Sequence, residues 1–213
     1  GVSVVRVDGN PLPGTTVREI QAIHYQNRKM KYLPVNMYEM FDKLESYRVE
    51  NCKLEVLGTF MGRYKHINFD RNLIREIPKS SFANAVNLEW ISMNENLIET
   101  IDEDFFTTMP QLRVVSFAGN RIRQLGGGLF RNNHNLEYVY FNGNGLTNVG
   151  VELFRGQNNL IVINFDSNIC INDAYYHDNN AVANLEQQFR TFCSGQCDNA
   201  IENQNKVEKL EDQ

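Results

Sequence analysis

The chain has 213 residues, 42% of them aliphatic or aromatic, and a formal net charge of −5 at pH 7. That length can bury a sizeable core, and the mild acidity gives no electrostatic reason to expect nucleic acid or an anionic membrane as partner. No apolar run approaches the ~20 residues that span a bilayer, and the opening GVSVVRVDGNP lacks the charged-then-apolar order of a signal peptide, as a mature secreted chain would.

Taken in chain order, the apolar residues repeat. Val2, Val5, Val7, Asn10 and Leu12 form a partial unit over 2–14. Ile20, Ile23, Tyr25, Met30 and Leu33 mark a second over 20–43, and Leu44, Tyr47, Val49, Leu54 and Leu57 a shortened third over 44–63. Four blocks of 24 residues then align without a gap, starting at Tyr64, Leu88, Leu112 and Leu136. Counted within a block, apolar residues recur at positions 1, 4, 6, 11, 14 and 19. Position 9 is Asn72, Asn96, Asn120 and Asn144, and position 19 is Phe82, Phe106, Phe130 and Phe154. A last unit begins at Leu160, carries Asn168 and stops after Cys170, which makes about eight units. One match to such a pattern arises by chance; four in register do not.

The pattern L-x-x-L-x-L-x-x-N-x-L-x-x-L with a later Phe resembles the leucine-rich repeat of the 24-residue type common in extracellular proteins. The implied fold is an α/β solenoid, a horseshoe with a parallel concave sheet. No unit can bury its own apolar positions, so stacking makes the core. Each unit should give a strand at positions 3 to 7, a turn, and an extended or short-helical return. The position-9 asparagines (Asn72, Asn96, Asn120, Asn144, Asn168) should bond backbone groups of neighbouring units, with Cys52 replacing Asn in one turn as a buried reduced thiol. The Phe column should pack as a spine near the convex side.

After the repeats, SNICINDAYYHDN and NLEQQFRTFCSGQC resemble the disulfide-stapled C-terminal caps of secreted leucine-rich-repeat proteins. The resemblance implies a Cys170–Cys193 bridge and a capping helix over 181–189, with Cys170–Cys197 as the rival pairing. Cys197 is then the odd thiol, free or available for a disulfide-linked homo- or hetero-dimer. Zinc is disfavoured, because Cys193-x3-Cys197 has an unusual spacing and no second pair nearby. Ala200, Asn203, Val207 and Leu210 follow at heptad steps, which reads as a frayed tail or the start of a coiled coil. Cap, odd cysteine and heptad start in that order resemble the leucine-rich immune proteins of mosquitoes, secreted proteins that dimerise and bind complement-like partners. The expected organisation is 1–19 as an N-terminal cap or partial repeat, 20–169 as repeats, 170–197 as the cysteine-containing cap, and 198–213 as the polar tail.

No hydrolase, metalloprotease, P-loop or dinucleotide motif occurs, so no enzyme, cofactor or metal is expected. GGGLF (126–130) lacks the Lys-Ser/Thr of a phosphate loop, and DEDFF (102–106) lacks the alternation of a calcium loop. Function should then lie on the outward strand positions of the concave sheet. These give a partner-binding set of His66, Asn68, Asp70, Trp90, Ser92, Asn94, Arg113, Tyr138, Tyr140 and Asn142, centred on the sole tryptophan. Exposed aromatics among hydrogen-bonding groups suit an interface. Three readings follow: a secreted protein-binding module acting in innate immunity, a structural or adhesive extracellular protein, and an intracellular scaffold or inhibitor.

Overall fold

A computed structural model describes residues 20–33, 37, 41, 43–58, 64–178 and 180–194. The partial unit of 1–19, Cys197 and the heptad-spaced tail of 198–213 lie outside the described residues.

Among the described residues the elements are, in chain order, β1 (Ala22–Gln26), β2 (Ser46–Glu50), β3 (His66–Asn68), β4 (Trp90–Ser92), β5 (Val114–Ser116), β6 (Gln124–Leu125), β7 (Tyr138–Tyr140), β8 (Asn148–Val149), β9 (Val162–Asn164), β10 (Ala174–Tyr176) and the C-terminal helix α1 (Ala181–Phe192). β1, β2, β3, β4, β5, β7 and β9 come one from each unit and pair in parallel, in sequence order. β10 adds to β9 antiparallel and ends the sheet, while β6 and β8 form a short second sheet on the returns. The molecule is thus a leucine-rich-repeat solenoid. Its returns are mostly turns, with one 3-10 segment at Lys79–Phe82.

Alternation along each strand sends position 4 inward and positions 3 and 5 outward. The inward row Ile23, Tyr47, Ile67, Ile91, Val115, Val139 and Ile163 is in register across seven strands, and every member is buried. Behind it run two phenylalanine columns. Phe106, Phe130 and Phe154 stack at 5.4 and 5.9 Å, and Phe117, Phe141 and Phe165 stack at 5.8 Å per step. Both columns end on Phe189 of α1, at 6.5 Å from Phe154 and 5.7 Å from Phe165. The helix therefore closes the core by continuing its aromatic packing, and the Cys170–Cys193 disulfide ties the last turn to the helix end. The rival Cys170–Cys197 pairing is overturned. Phe82 departs from its column, meeting Phe105 at 5.5 Å, which in turn meets Phe106 at 4.8 Å.

Five asparagines make one bonding pattern. The Nδ2 of Asn72, Asn96, Asn120, Asn144 and Asn168 donates to the position-6 carbonyl of its own unit and of the unit before. Its Oδ1 accepts from the position-11 amide of the preceding unit. Backbone groups that a turn would otherwise bury unpaired are thereby satisfied. Cys52 stands in this place with its Sγ 3.6 Å from the Tyr25 carbonyl and 3.2 Å from that of Glu50. Burial pushes the Cys52 thiol up, so it stays protonated and unreactive.

The strands differ from the expected length, and the asparagines explain it. β1 and β2 span positions 3 to 7, but the five parallel strands that follow span only positions 3 to 5. From Val49 to Phe141 each position-6 carbonyl accepts the asparagine amide of the next unit. The position-7 amide of the next unit therefore turns elsewhere: Asn94 N donates to Asp70 Oδ1 and Ala118 N to Asn94 Oδ1, each at 2.7 Å. Side chains replace the ladder there. Where Cys52 leaves the Tyr25 carbonyl without an amide, β1 and β2 stay paired out to Gln26 and Glu50.

Candidate functional site: the concave face

The parallel register lines the outward side chains into rows. Position 3 reads Ala22, Ser46, His66, Trp90, Val114, Tyr138 and Val162, and β10 adds Tyr176 beside Val162. Position 5 reads His24, Arg48, Asn68, Ser92, Ser116, Tyr140 and Asn164, followed by Ala174. The antiparallel β10 was not foreseen from the sequence. The short alternation in AYY was its only signal, and it lies where the repeat has already ended.

The face divides into three zones. At β1 and β2 it is charged: Glu50 accepts from Arg48 at 2.6 Å and lies 3.7 Å from His24. In the middle it is a polar network. Asp70 takes Ser92 Oγ at 2.7 Å and Asn68 Nδ2 at 3.0 Å, while Asn94 takes Ser116 Oγ at 2.7 Å and donates to Ser92 Oγ at 3.1 Å. Ser92 and Ser116 are consequently buried, although their positions point out of the sheet. Asn68, Asp70 and Asn94 stay half-buried, with polar atoms engaged internally. The network stops at Ala118, which has no acceptor to offer the next unit.

There the third zone begins, and it is aromatic. Trp90 is 45% exposed and meets His66 edge-to-face at 6.2 Å. Tyr138 and Tyr140 are half-buried, and Tyr176 is 60% exposed. Burial, helped by the neighbouring Tyr138 and Tyr176, pushes the Tyr140 hydroxyl up, so all of it stays neutral at physiological pH. Arg113 lies beside the row but grips Glu137 through two bonds of 2.9 Å, and Asn142 is half-buried at position 7. The structure thus brings Trp90, Tyr138 and Tyr140 onto one surface. It separates them from Asn68, Asp70, Ser92 and Asn94, which bind mainly one another.

The remaining motifs are architectural. Gly150 is needed where the backbones of β8 and the preceding unit meet, since a Cβ there would sit 2.2 Å from Gly127 N. Glu103 of DEDFF accepts Gly128 N at 2.7 Å, Asp104 pairs with Arg131 and Lys79, and Phe105 and Phe106 are core. Among the described residues no His, Cys, Asp and Glu cluster is arranged to hold a metal, and no helix is long and apolar enough to cross a membrane. Outside the concave face, a cavity of about 510 Å³ lies between the last return and α1, lined by Phe154, Leu160, Ile163, Tyr175 and Val182.

Several solved structures share this architecture. The TLR13–ssRNA13 complex matches with 23% identity and a TM-score of 0.64, over 70% of this chain and 21% of that one. The Drosophila Toll–Spatzle complex matches with 16% identity and a TM-score of 0.59, over 71% and 24%. The APL1 leucine-rich-repeat domain matches with 18% identity and a TM-score of 0.59, over 71% and 40%. The chain spans less than half the length of each, and at these identities the likeness is one of fold. No curated protein matches the sequence. Six copies of the BspA type leucine rich repeat region match residues 58–183, more than half of the chain. The chain belongs to that leucine-rich-repeat family.

Proposed function

We propose that this chain is a secreted, non-catalytic recognition module that binds a protein partner in innate immunity through its concave face. The carrying observation is Trp90, 45% exposed in mid-sheet at a position the core does not require. Apart from its edge contact with His66 the indole presents apolar surface to solvent, and tryptophan is favoured at binding hot spots. The net charge of −5 favours a protein over a nucleic acid as ligand. A closed disulfide at Cys170–Cys193 supports an oxidising compartment. The immune role draws on likeness to Toll, whose complex with Spatzle is described as a hub of development and innate immunity, and to APL1, which is found in complex with LRIM1.

The test is affinity capture from the extracellular fluid of the source, with the intact chain and with Trp90→Ala. The variant should lose at least about tenfold in affinity, while its thermal midpoint moves by only a few degrees. Unchanged capture would sink the concave-face reading, and an equal loss of folding would make Trp90 structural.

A further inference from the structure

The concave sheet ends on a strand whose outer edge is bare. β10 is last in the strand order and pairs antiparallel to β9. Asp173 O accepts Phe165 N at 2.9 Å, and His177 N donates to Ile161 O at 2.7 Å. In an antiparallel ladder only alternate residues bond a given neighbour, so Asp173, Tyr175 and His177 turn their backbone toward β9. The N–H and C=O groups of Ala174 and Tyr176 therefore point away from the sheet. None of them has a hydrogen-bond partner among the described residues.

Such an edge is a template for another strand, and proteins commonly blunt it with charge, proline or a bulge. β10 itself, AYY, carries no charge and no proline. Beside it, Tyr175 lines a cavity of about 280 Å³ with Asn184, Gln187, Gln188, Thr191 and Phe192 of α1, all uncharged. An approaching strand meets no like charge there.

The edge also matches itself. In a two-fold antiparallel pairing centred on Tyr175, Ala174 lies opposite Tyr176 of the second copy, and every outward backbone group is bonded. Size agrees with that register, since Tyr176, 60% exposed, covers the small Ala174 of the second copy. Charge agrees as well, because Asp173 comes opposite His177 of the second copy. The Asp173 carboxylate takes Gln188 through Oδ2 and has Oδ1 unpartnered among the described residues. The His177 side chain is exposed and likewise unpartnered there, and an imidazole N–H donates to a carboxylate in either protonation state. A foreign strand can use the same backbone groups, but a second copy brings the matching side chains with it.

We infer that the β10 edge is a homotypic interface. Two copies pair β10 to β10 about a two-fold axis normal to the sheet, joining their eight-stranded sheets into one. Both concave faces then open on the same side, so a partner with repeated sites engages two copies and gains avidity. Because β10 is only three residues long, the dimer is weak and concentration-dependent. The pairing does not depend on which ligand the concave face takes.

Sedimentation equilibrium of the full chain tests the interface, with Cys197→Ser throughout so that no intermolecular disulfide contributes. The apparent mass should rise with concentration from that of one chain toward that of two. Ala174→Pro removes an outward N–H and no described bond of the fold, and should weaken self-association by at least about tenfold. His177→Asp sets two carboxylates opposite each other at both ends of the pair and should weaken it by about fivefold. The left-handed φ of 52° at His177 suits Asp, so the backbone is not strained by that change. Adding Asp173→Lys restores opposite charges and should recover most of the lost association, a response that a merely structural role would not give. Thermal unfolding verifies the fold of each variant, and if Ala174→Pro does not fold, His177→Asp and its rescue decide. A chain that stays monomeric at every concentration overturns the inference. A dimer indifferent to Ala174→Pro forms elsewhere and overturns it too. Loss with Ala174→Pro but no response to His177→Asp or its rescue overturns the self-complementary register. A monomeric chain that captures another protein through this edge, and loses it in Ala174→Pro, assigns the edge to a foreign strand instead.

Discussion

The first two described units and the units that follow solve the same problem differently. Each must satisfy the position-6 carbonyl, which the turn buries. From Asn72 onward the asparagine of the next unit does so, the strands shorten to three residues, and displaced position-7 amides turn to Asp70 and Asn94. At Cys52 a thiol takes the asparagine's place and the strand pairing carries on to Glu50. A buried turn residue thus decides how far the concave sheet extends. It also decides which position-7 side chains are held by the backbone and which are left to face outward.

The largest effect should come from Asn96→Ala, which leaves the Ile74 amide unpaired in the interior and takes one of two amide donors from each of the Phe69 and Met93 carbonyls. One buried amide left unpaired and two carbonyls each short of one donor amount to about 2 kcal/mol, read as a lower urea midpoint with an unchanged slope. Next is Asn94→Ala. It removes the acceptor for Ser116 Oγ and Ala118 N, but Asn94 is itself half-buried, so water can enter the space it leaves. The cost should be about 1 kcal/mol in the same measurement, and a loss as large as that of Asn96→Ala would mean the two networks are one. The smallest and most discriminating change is Cys52→Asn. It should import the central pattern into the first pair and shift stability by no more than about 1 kcal/mol. Amide exchange should quicken at Glu50, whose pairing with Gln26 shortens. Unchanged protection at Glu50 would separate strand length from the turn residue.

The repeat made much of this legible in advance. Positions 1, 4, 6 and 11 are buried in all four aligned blocks, and the asparagine turn and the stacked phenylalanines stand where a 24-residue period puts them. Trp90 and Tyr138 were placed on one face by the same count. Less legible was which outward residues are free. Ser92 has the same strand position as Tyr140, yet it is buried because Asp70 of the preceding unit holds it, and that depends on a neighbour 22 residues away. The positive φ at position 8 is another such case. It recurs at Asn27, Asn51, Arg71, Glu95, Gly119, Gly143 and Ser167, and only two of these are glycine. The stacked geometry imposes it on residues whose own preference opposes it.

By itself, then, the sequence determined the solenoid, its period, the inward rows and the residue types of the concave face. A fixed repeat converts spacing along the chain into direction in space, so those features need no further information. Only the tertiary structure decided the Cys170–Cys193 pairing, the antiparallel β10 that brings Tyr176 to the end of the aromatic row, and the withdrawal of Ser92 and Ser116 from the surface. Each of these arises where the repeat ends or where side chains of adjacent units compete for one backbone group. At such places the outcome is set by contact geometry between units rather than by the pattern within any one of them.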